Sequence, residues 1–396
     1  MIISEEHLSQ HHFFRIKNTE LNEIYAVMSI RSFVIALINI FIPIYIYTIT
    51  FSIQQIIIYY LVMFTGEALL EYPALKVISR FGPKHSIAFS LPFLVLSFWM
   101  LWTLPQYHWP LWAIGLVGSV TMAFFWQAYH YDFSKSKIKK KATKEISTLY
   151  IIIAILAALG PLIGGLIAGY LGIGTLIGIV TGLVLLTLFP LYSQREPHIS
   201  HKTNLRKKFK LDIFVQQVAY GGSGIEVSAT MIFWPLFLFL IVGTYQNVGI
   251  VTAAALFVTV IVTYFVGTSA DKKNKIHFIR VGSFLTSILG FLRIFVNSML
   301  TALILNVVRG ISHSIYESPF IAEYYLHADE ESRPEYIFWM EIGIDIARVL
   351  YFGILLILSL YISDNSLLVW ALIIGAGATI LMVLMPPTKK EINAIN

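Results

Sequence analysis

Residues 22–49 read NEIYAVMSIRSFVIALINIFIPIYIYTI, and four of them, Ile40-Phe41-Ile42-Pro43, return 192 positions later as Ile232-Phe233-Trp234-Pro235. The first stretch is an apolar run long enough, as a helix, to cross ~30 Å of hydrocarbon. Five similar windows follow near 53–79, 86–104, 109–131, 148–171 and 174–193. Six more lie near 212–241, 247–267, 277–297, 299–325, 336–361 and 366–386. Numbered in chain order, these are spans 1 to 12. The 192-residue offset that relates span 1 to span 7 also takes Ser79 to Asp271, His85 to His277 and Gly118 to Gly310. One register serves four spans without a gap, the mark of a parallel repeat.

Composition agrees with a chain whose solvent is lipid. Of 396 residues 57% are hydrophobic and 13% charged, with a mean hydropathy of +0.75. The charged share is about half that of an ordinary soluble domain. Without cysteine, disulfides, thiolate metal sites and cysteine nucleophiles are excluded. The first twenty residues lack the basic start, apolar middle and small-residue cleavage site of a removable signal.

A net charge of +6 raises nucleic acid as a partner, but the basic residues sit between spans rather than on one amphipathic surface, so no nucleic acid is expected. All but six of the 28 Lys and Arg fall in segments on one side of the expected membrane; the exceptions are Arg31, Lys76, Arg280, Arg293, Arg309 and Arg348. The positive-inside rule then puts both termini in the cytoplasm of a multi-pass cell-membrane protein. The longest polar connection, Gln194 to Lys210, reads as a linker between halves. The expected architecture is an all-α integral membrane protein with twelve transmembrane helices in two pseudo-symmetric six-helix bundles, 1–196 and 211–396, joined by a cytoplasmic linker at 197–210.

On these features the chain resembles the major facilitator superfamily, whose motif between spans 2 and 3 runs roughly G-x-L-A-D-R-x-G-R-K. The second-half copy, Gly267-Thr268-Ser269-Ala270-Asp271-Lys272-Lys273-Asn274-Lys275, keeps the glycine, alanine, aspartate and basic residue. The first-half copy retains Arg80, Gly82 and Lys84 but has Ser79 in place of the aspartate. The resemblance implies a conformational latch made of Arg80, Gly82, Lys84, Gly267, Asp271 and Lys272, charged groups that hold one conformer. Span 5 contains Gly160-Pro161-Leu162-Ile163-Gly164-Gly165, similar to the core of a motif common among exporters of that superfamily. Small residues there permit close helix approach and the proline a kink. Gly160, Pro161, Gly164 and Gly165 are thus expected packing or kink positions, with a lean to export; plain helix packing explains them equally well.

Ionisable groups deep inside spans are costly, and they mark a cavity or a partner. Arg31 and Glu71 lie at a similar depth, roughly 14–15 Å from the inner surface by helical rise, and are expected to pair. Glu67, one turn away, would then be a carboxylate nearer the cavity. The same residues also suit a static network joining spans 1 and 2. Arg309, His313 and Glu317 share a stripe of span 10 with Asn306; Asp345 and Arg348 do so on span 11 with Glu341. Arg348 has two expected partners, Asp345 on its own helix or Glu317 across on span 10, and alternatively a role clamping an anionic substrate.

Glu226 follows Tyr220-Gly221-Gly222-Ser223-Gly224 and has no basic neighbour in its own span. It is the first choice for a proton carrier, with the glycines expected to loosen span 7. The aromatic end of span 4, Phe124 to Asp132, reads as an interfacial belt. No catalytic set, ATP-binding loop, metal site or cofactor motif is visible, so the chain is not expected to be an enzyme. These residues suit a monomeric secondary transporter of a small molecule, set in membrane lipids and coupled to protons. The alternatives are uptake or facilitated diffusion of a sugar, metabolite or lipid-like solute, or a non-transporting membrane sensor.

Overall fold

The computed structural model describes residues 19–136, 143–186, 211–270 and 275–388, and its regular elements are all helices. Each of the twelve windows falls on one. Span 1 runs Thr19–Ile38, tightens into a 3-10 turn at Asn39–Phe41 and resumes as Ile42–Thr50. Spans 2, 3 and 4 are Ile53–Phe81, Pro83–Trp102 and Leu111–Ser136, and spans 5 and 6 are Thr143–Tyr170 and Ile173–Leu186. Span 7 runs Leu211–Ser228, widens into a π turn at Ala229–Phe233 and resumes as Trp234–Val242. Spans 8 to 11 are Tyr245–Ala270, Lys275–Leu292, Met299–Glu330 and Arg333–Leu358; span 12 is Asp364–Ala378, ending in 3-10 turns over Thr379–Leu384.

Nine of these helices are long and apolar enough to cross a bilayer over their described residues. Spans 5 and 6 are apolar but shorter over the stretches that qualify, Ala154–Tyr170 and Ile173–Leu186. Span 11 has the length, but Glu341, Asp345 and Arg348 interrupt its apolar run.

Local chemistry ends the helices where the spans need to turn. Phe51 takes a left-handed φ of 52° and Ser52 caps span 2 by accepting from the Gln55 N–H at 3.4 Å. Ser298 and Thr301 form a reciprocal capping box at the start of span 10. Between spans 2 and 3, Gly82 sits at φ 97° with Pro83 in the first turn that follows; a side chain there is strained, so the motif glycine serves to reverse the chain.

Packing repeats with a shift of six spans. Span 1 lies against 5 and 6, span 2 against 4, and span 3 against 4 and 6; correspondingly span 7 lies against 11 and 12, span 8 against 10, and span 9 against 10 and 12. The two sets of six meet chiefly through spans 5 and 8 and through spans 2 and 11, pairs that the same shift interchanges. Side chains follow the register as well. Gly118 packs on Met63 and Gly310 on Ala255, and both members of each contact are 192 positions apart. Phe41 and Phe233 are each fully buried at the two helix breaks, and those breaks touch one another.

The glycines of span 5 are contact surfaces. A Cβ at Gly160 would meet Ala36 at 2.5 Å, and one at Gly164 would run into the Leu37 carbonyl oxygen, so this face lies on the backbone of span 1. Gly165 faces the Tyr245 carbonyl at 2.7 Å and Gly249 faces the Pro161 carbonyl, so the opposite face joins span 5 to span 8. With little hydrophobic drive between helices in lipid, such backbone approach is what holds them. Gly182, with nothing within 4 Å of a built Cβ, is a natural control. Gly164→Val is expected to abolish the folded protein or lower its melting temperature sharply in detergent. Gly182→Ala should be neutral or stabilising by up to about 1 kcal/mol; equal melting of the two variants would contradict the packing described.

Candidate functional site

The contact between spans 2 and 11 buries a group of charges. The carboxylate oxygens of Glu67, Glu71 and Asp345 lie within 4.8 Å of one another, and all three residues are at most 1% exposed. Glu67 and Glu71 are one helical turn apart and so face the same way. Asp345 and Arg348 share a face of span 11. The Arg348 guanidinium sits 3.4 Å from Asp345 Oδ1 and reaches across to Glu67 Oε2 at 3.8 Å, with its plane 4.9 Å above the Phe64 ring. Span 4 completes the site, because Gly66 packs closely against Ser119 and Gly115 lies on the Tyr59 carbonyl. That approach brings Gln127 to Glu71, where its Nε2 donates at 2.5 Å to Oε2 and at 3.2 Å to the main-chain carbonyl.

Two expected pairings are therefore replaced. Arg31 does not pair with Glu71: its guanidinium lies flat over Phe125, 3.5 Å from the ring centroid, and Gln127 takes the carboxylate instead. Arg348 does not reach Glu317, which pairs with His313 on its own helix at 3.0 Å. Among the described residues, Glu67 Oε2, Glu71 Oε1 and Asp345 Oδ2 have no hydrogen-bond partner.

A second network lies inside the latter six spans. Glu226 forms a buried ion pair with Arg309 of span 10, so it is not the lone carboxylate its own span suggests. The Thr230 hydroxyl donates to Glu226 at 2.9 Å and accepts from Arg309 at 2.9 Å and from Arg293 at 3.0 Å. Tyr316 donates to the other Glu226 oxygen at 3.4 Å. Trp234 lies under the Arg293 guanidinium at 4.4 Å and donates to Asn306 at 3.1 Å. The glycines before Glu226 do not loosen span 7: Gly221 and Gly224 face span 11, Gly222 faces the Ala378 carbonyl of span 12, and the helix continues through them to the π turn.

The end of span 4 is also reassigned. Phe125 holds Arg31, and His130 Nδ1 lies 2.8 Å from the Tyr325 hydroxyl while its Nε2 is 3.7 Å from Glu341, so this stretch faces spans 10 and 11 rather than forming a lipid belt. Trp126 remains partly exposed. Of the latch residues, Arg80 is exposed, Lys84 is buried and Gly82 makes the turn; Gly267 lies in span 8, and Asp271 and Lys272 are outside the described residues. Gln127, Thr230, Arg293 and Tyr316 did not stand out in the sequence. Arg293 had a signal, as one of only six basic residues outside the segments that collect the rest.

Charges buried between two six-helix sets, with glycine-lined contacts on which those sets rest, define a helical membrane carrier. The chain belongs to the Major Facilitator Superfamily, whose family model matches residues 24–352, and it is a membrane transporter rather than an enzyme. Its fold is similar to the crystal structure of the nucleoside transporter NupG, with a TM-score of 0.64 at 13% identity over 92% of this chain and 97% of that one. No curated protein matches it in sequence.

Removing one partner of a buried pair leaves the other uncompensated, at a cost of about 3–5 kcal/mol. Glu226→Gln is expected to lower the thermal midpoint strongly, by stranding the Arg309 guanidinium, and Glu226→Gln with Arg309→Gln to recover part of the loss. A double variant as unstable as the sum of both singles would show that the two residues are not coupled.

Proposed function

We propose that the protein is a secondary active transporter that moves a small organic solute across the cell membrane by alternating access, with proton coupling and a lean to export. The observation that carries this reading is the cluster of Glu67, Glu71 and Asp345 facing a single contacting guanidinium, Arg348, across the contact between the two sets of six spans. Three ionised carboxylates against one guanidinium would hold two uncompensated negative charges in a nearly dry interior. A bound proton or cation relieves that repulsion. Glu67 and Glu71 belong to one side of the contact and Asp345 and Arg348 to the other, so loading or unloading the cluster changes the attraction between the sides, which is what coupling requires.

In this reading the halves are 1–196 and 211–396, the termini are cytoplasmic and the transporter works as a monomer. Two sets of contacts then open in turn. Toward the outer end Asp364 accepts from the Ile53 N–H at 3.1 Å and span 5 lies on span 8. Toward the inner end His130 meets Tyr325 and Tyr72 packs edge-on against Phe338. The lean to export rests on the span 5 glycine motif, which sits at the contact between the sides. Because NupG is a nucleoside transporter, nucleosides are the first solutes to try.

The test is flux in proteoliposomes under an imposed pH gradient, with nucleosides first in a wider solute panel. The proton gradient is expected to drive accumulation of the solute, and Glu71→Gln to reduce driven accumulation at least tenfold while leaving solute exchange at equilibrium intact. Accumulation that ignores the gradient but follows sodium would make the cluster a cation site. Mere equilibration under every gradient would make the protein a facilitator.

A further inference from the structure

The charges buried between spans 7, 9 and 10 do not balance. Glu226 answers one guanidinium, that of Arg309, whereas Arg293 has only a neutral hydroxyl, Thr230, and the face of Trp234. Arg293 is 3% exposed and Arg309 6%. A guanidinium cannot shed its proton in a protein, so this charge is permanent. Arg293 Nε and Nη2 and Arg309 Nε, all buried, have no hydrogen-bond partner among the described residues. Glu317, the next carboxylate along span 10, pairs with His313 and is itself part exposed.

These groups border a small cavity between spans 7, 9, 10 and 12, of about 10 Å³, whose walls include Arg293, Arg309, Glu226 and Thr230, Thr286 and Thr379, the threonine hydroxyl protons being given to Glu226, Ser312 and the Gly375 carbonyl. Its free centre has room for a water-sized particle rather than an organic solute. Spans 9 and 12 form its far wall, so it lies away from the charge cluster between spans 2 and 11. A water there would satisfy hydrogen bonds and leave the charge. An anion satisfies both.

We propose that this cavity is a binding site for a small inorganic anion, a halide in size and charge, held by the free N–H groups of Arg293 and Arg309. Its charge completes a neutral set of two guanidiniums, one carboxylate and one anion, so its occupancy stabilises the fold around span 7. The site is independent of the proton-coupling reading, because none of its groups belongs to the Glu67, Glu71 and Asp345 cluster.

The experiment compares thermal unfolding of the purified protein in sodium chloride and in sodium gluconate at equal ionic strength, together with equilibrium binding of radioactive chloride. Wild type is expected to melt roughly 2 °C or more higher in chloride and to bind chloride saturably. Arg293→Gln removes the unanswered charge: it should lose the difference between the salts and melt in gluconate no lower than wild type. An arginine with a merely structural role would instead lower melting in both salts. Arg293→Lys keeps the charge with fewer donors and should weaken chloride binding several-fold while retaining part of the difference between the salts. Absence of saturable chloride binding to wild type, or an undiminished salt difference in a folded Arg293→Gln, overturns the proposal.

Discussion

A charge placed in hydrocarbon has to be answered by a partner held inside the protein, because bulk water does not surround it there. That constraint organises this molecule. Arg348 is answered from both sides of the contact between the two sets of six spans, by Asp345 on its own helix and by Glu67 across. Arg31 is answered by the face of Phe125, and Arg309 by Glu226. All but the Asp345 contact tie together helices distant in sequence, so the buried charges mark which spans are neighbours.

Close backbone contact does the remaining work. The span 5 glycines lie on span 1 on one face and on span 8 on the other, so a single helix both belongs to its own set and bears on the other. The contact is one of close backbone approach, with the Gln246 side chain of span 8 seated on Gly169 of span 5. The contact between spans 2 and 11 is of the opposite kind, charged and aromatic, with Tyr60 and Phe64 against Phe352. Two unlike surfaces therefore join the same two bodies: one of close backbone approach at glycines, and one of charges and aromatic rings.

Much of this was legible in the residues. Hydropathy located the twelve helices because a span long enough for a bilayer leaves a strong signal, and the 192-residue register predicted equivalent contacts such as Gly118 on Met63 and Gly310 on Ala255. Depth along a helix singled out Glu71 and Asp345, both buried, but also Glu317, whose side chain is part exposed. What failed was the choice of partners. Helical rise gives depth but not azimuth, so Arg31 and Glu71 shared a level while Phe125 and Gln127 stood between them. Glu226 looked solitary because its partner lies 83 residues away on span 10. The glycines of span 7 were read as a loose segment because sequence does not distinguish a glycine that frees a helix from one that lets a neighbour approach.

The paired breaks in spans 1 and 7 have a further consequence. They occupy matching positions in the repeat, yet one is a 3-10 turn and the other a π turn; the first overwinds the helix and the second underwinds it. The two rods beyond them, Ile42–Thr50 and Trp234–Val242, thus leave their breaks with different azimuths although their sequences are in register. A space enclosed by two identical walls would accept a lopsided solute in two equivalent poses, related by the axis between the walls. Opposed winding at the place where the breaks touch makes the two walls differ in shape as well as in sequence, so the two-fold likeness of the halves stops at that contact.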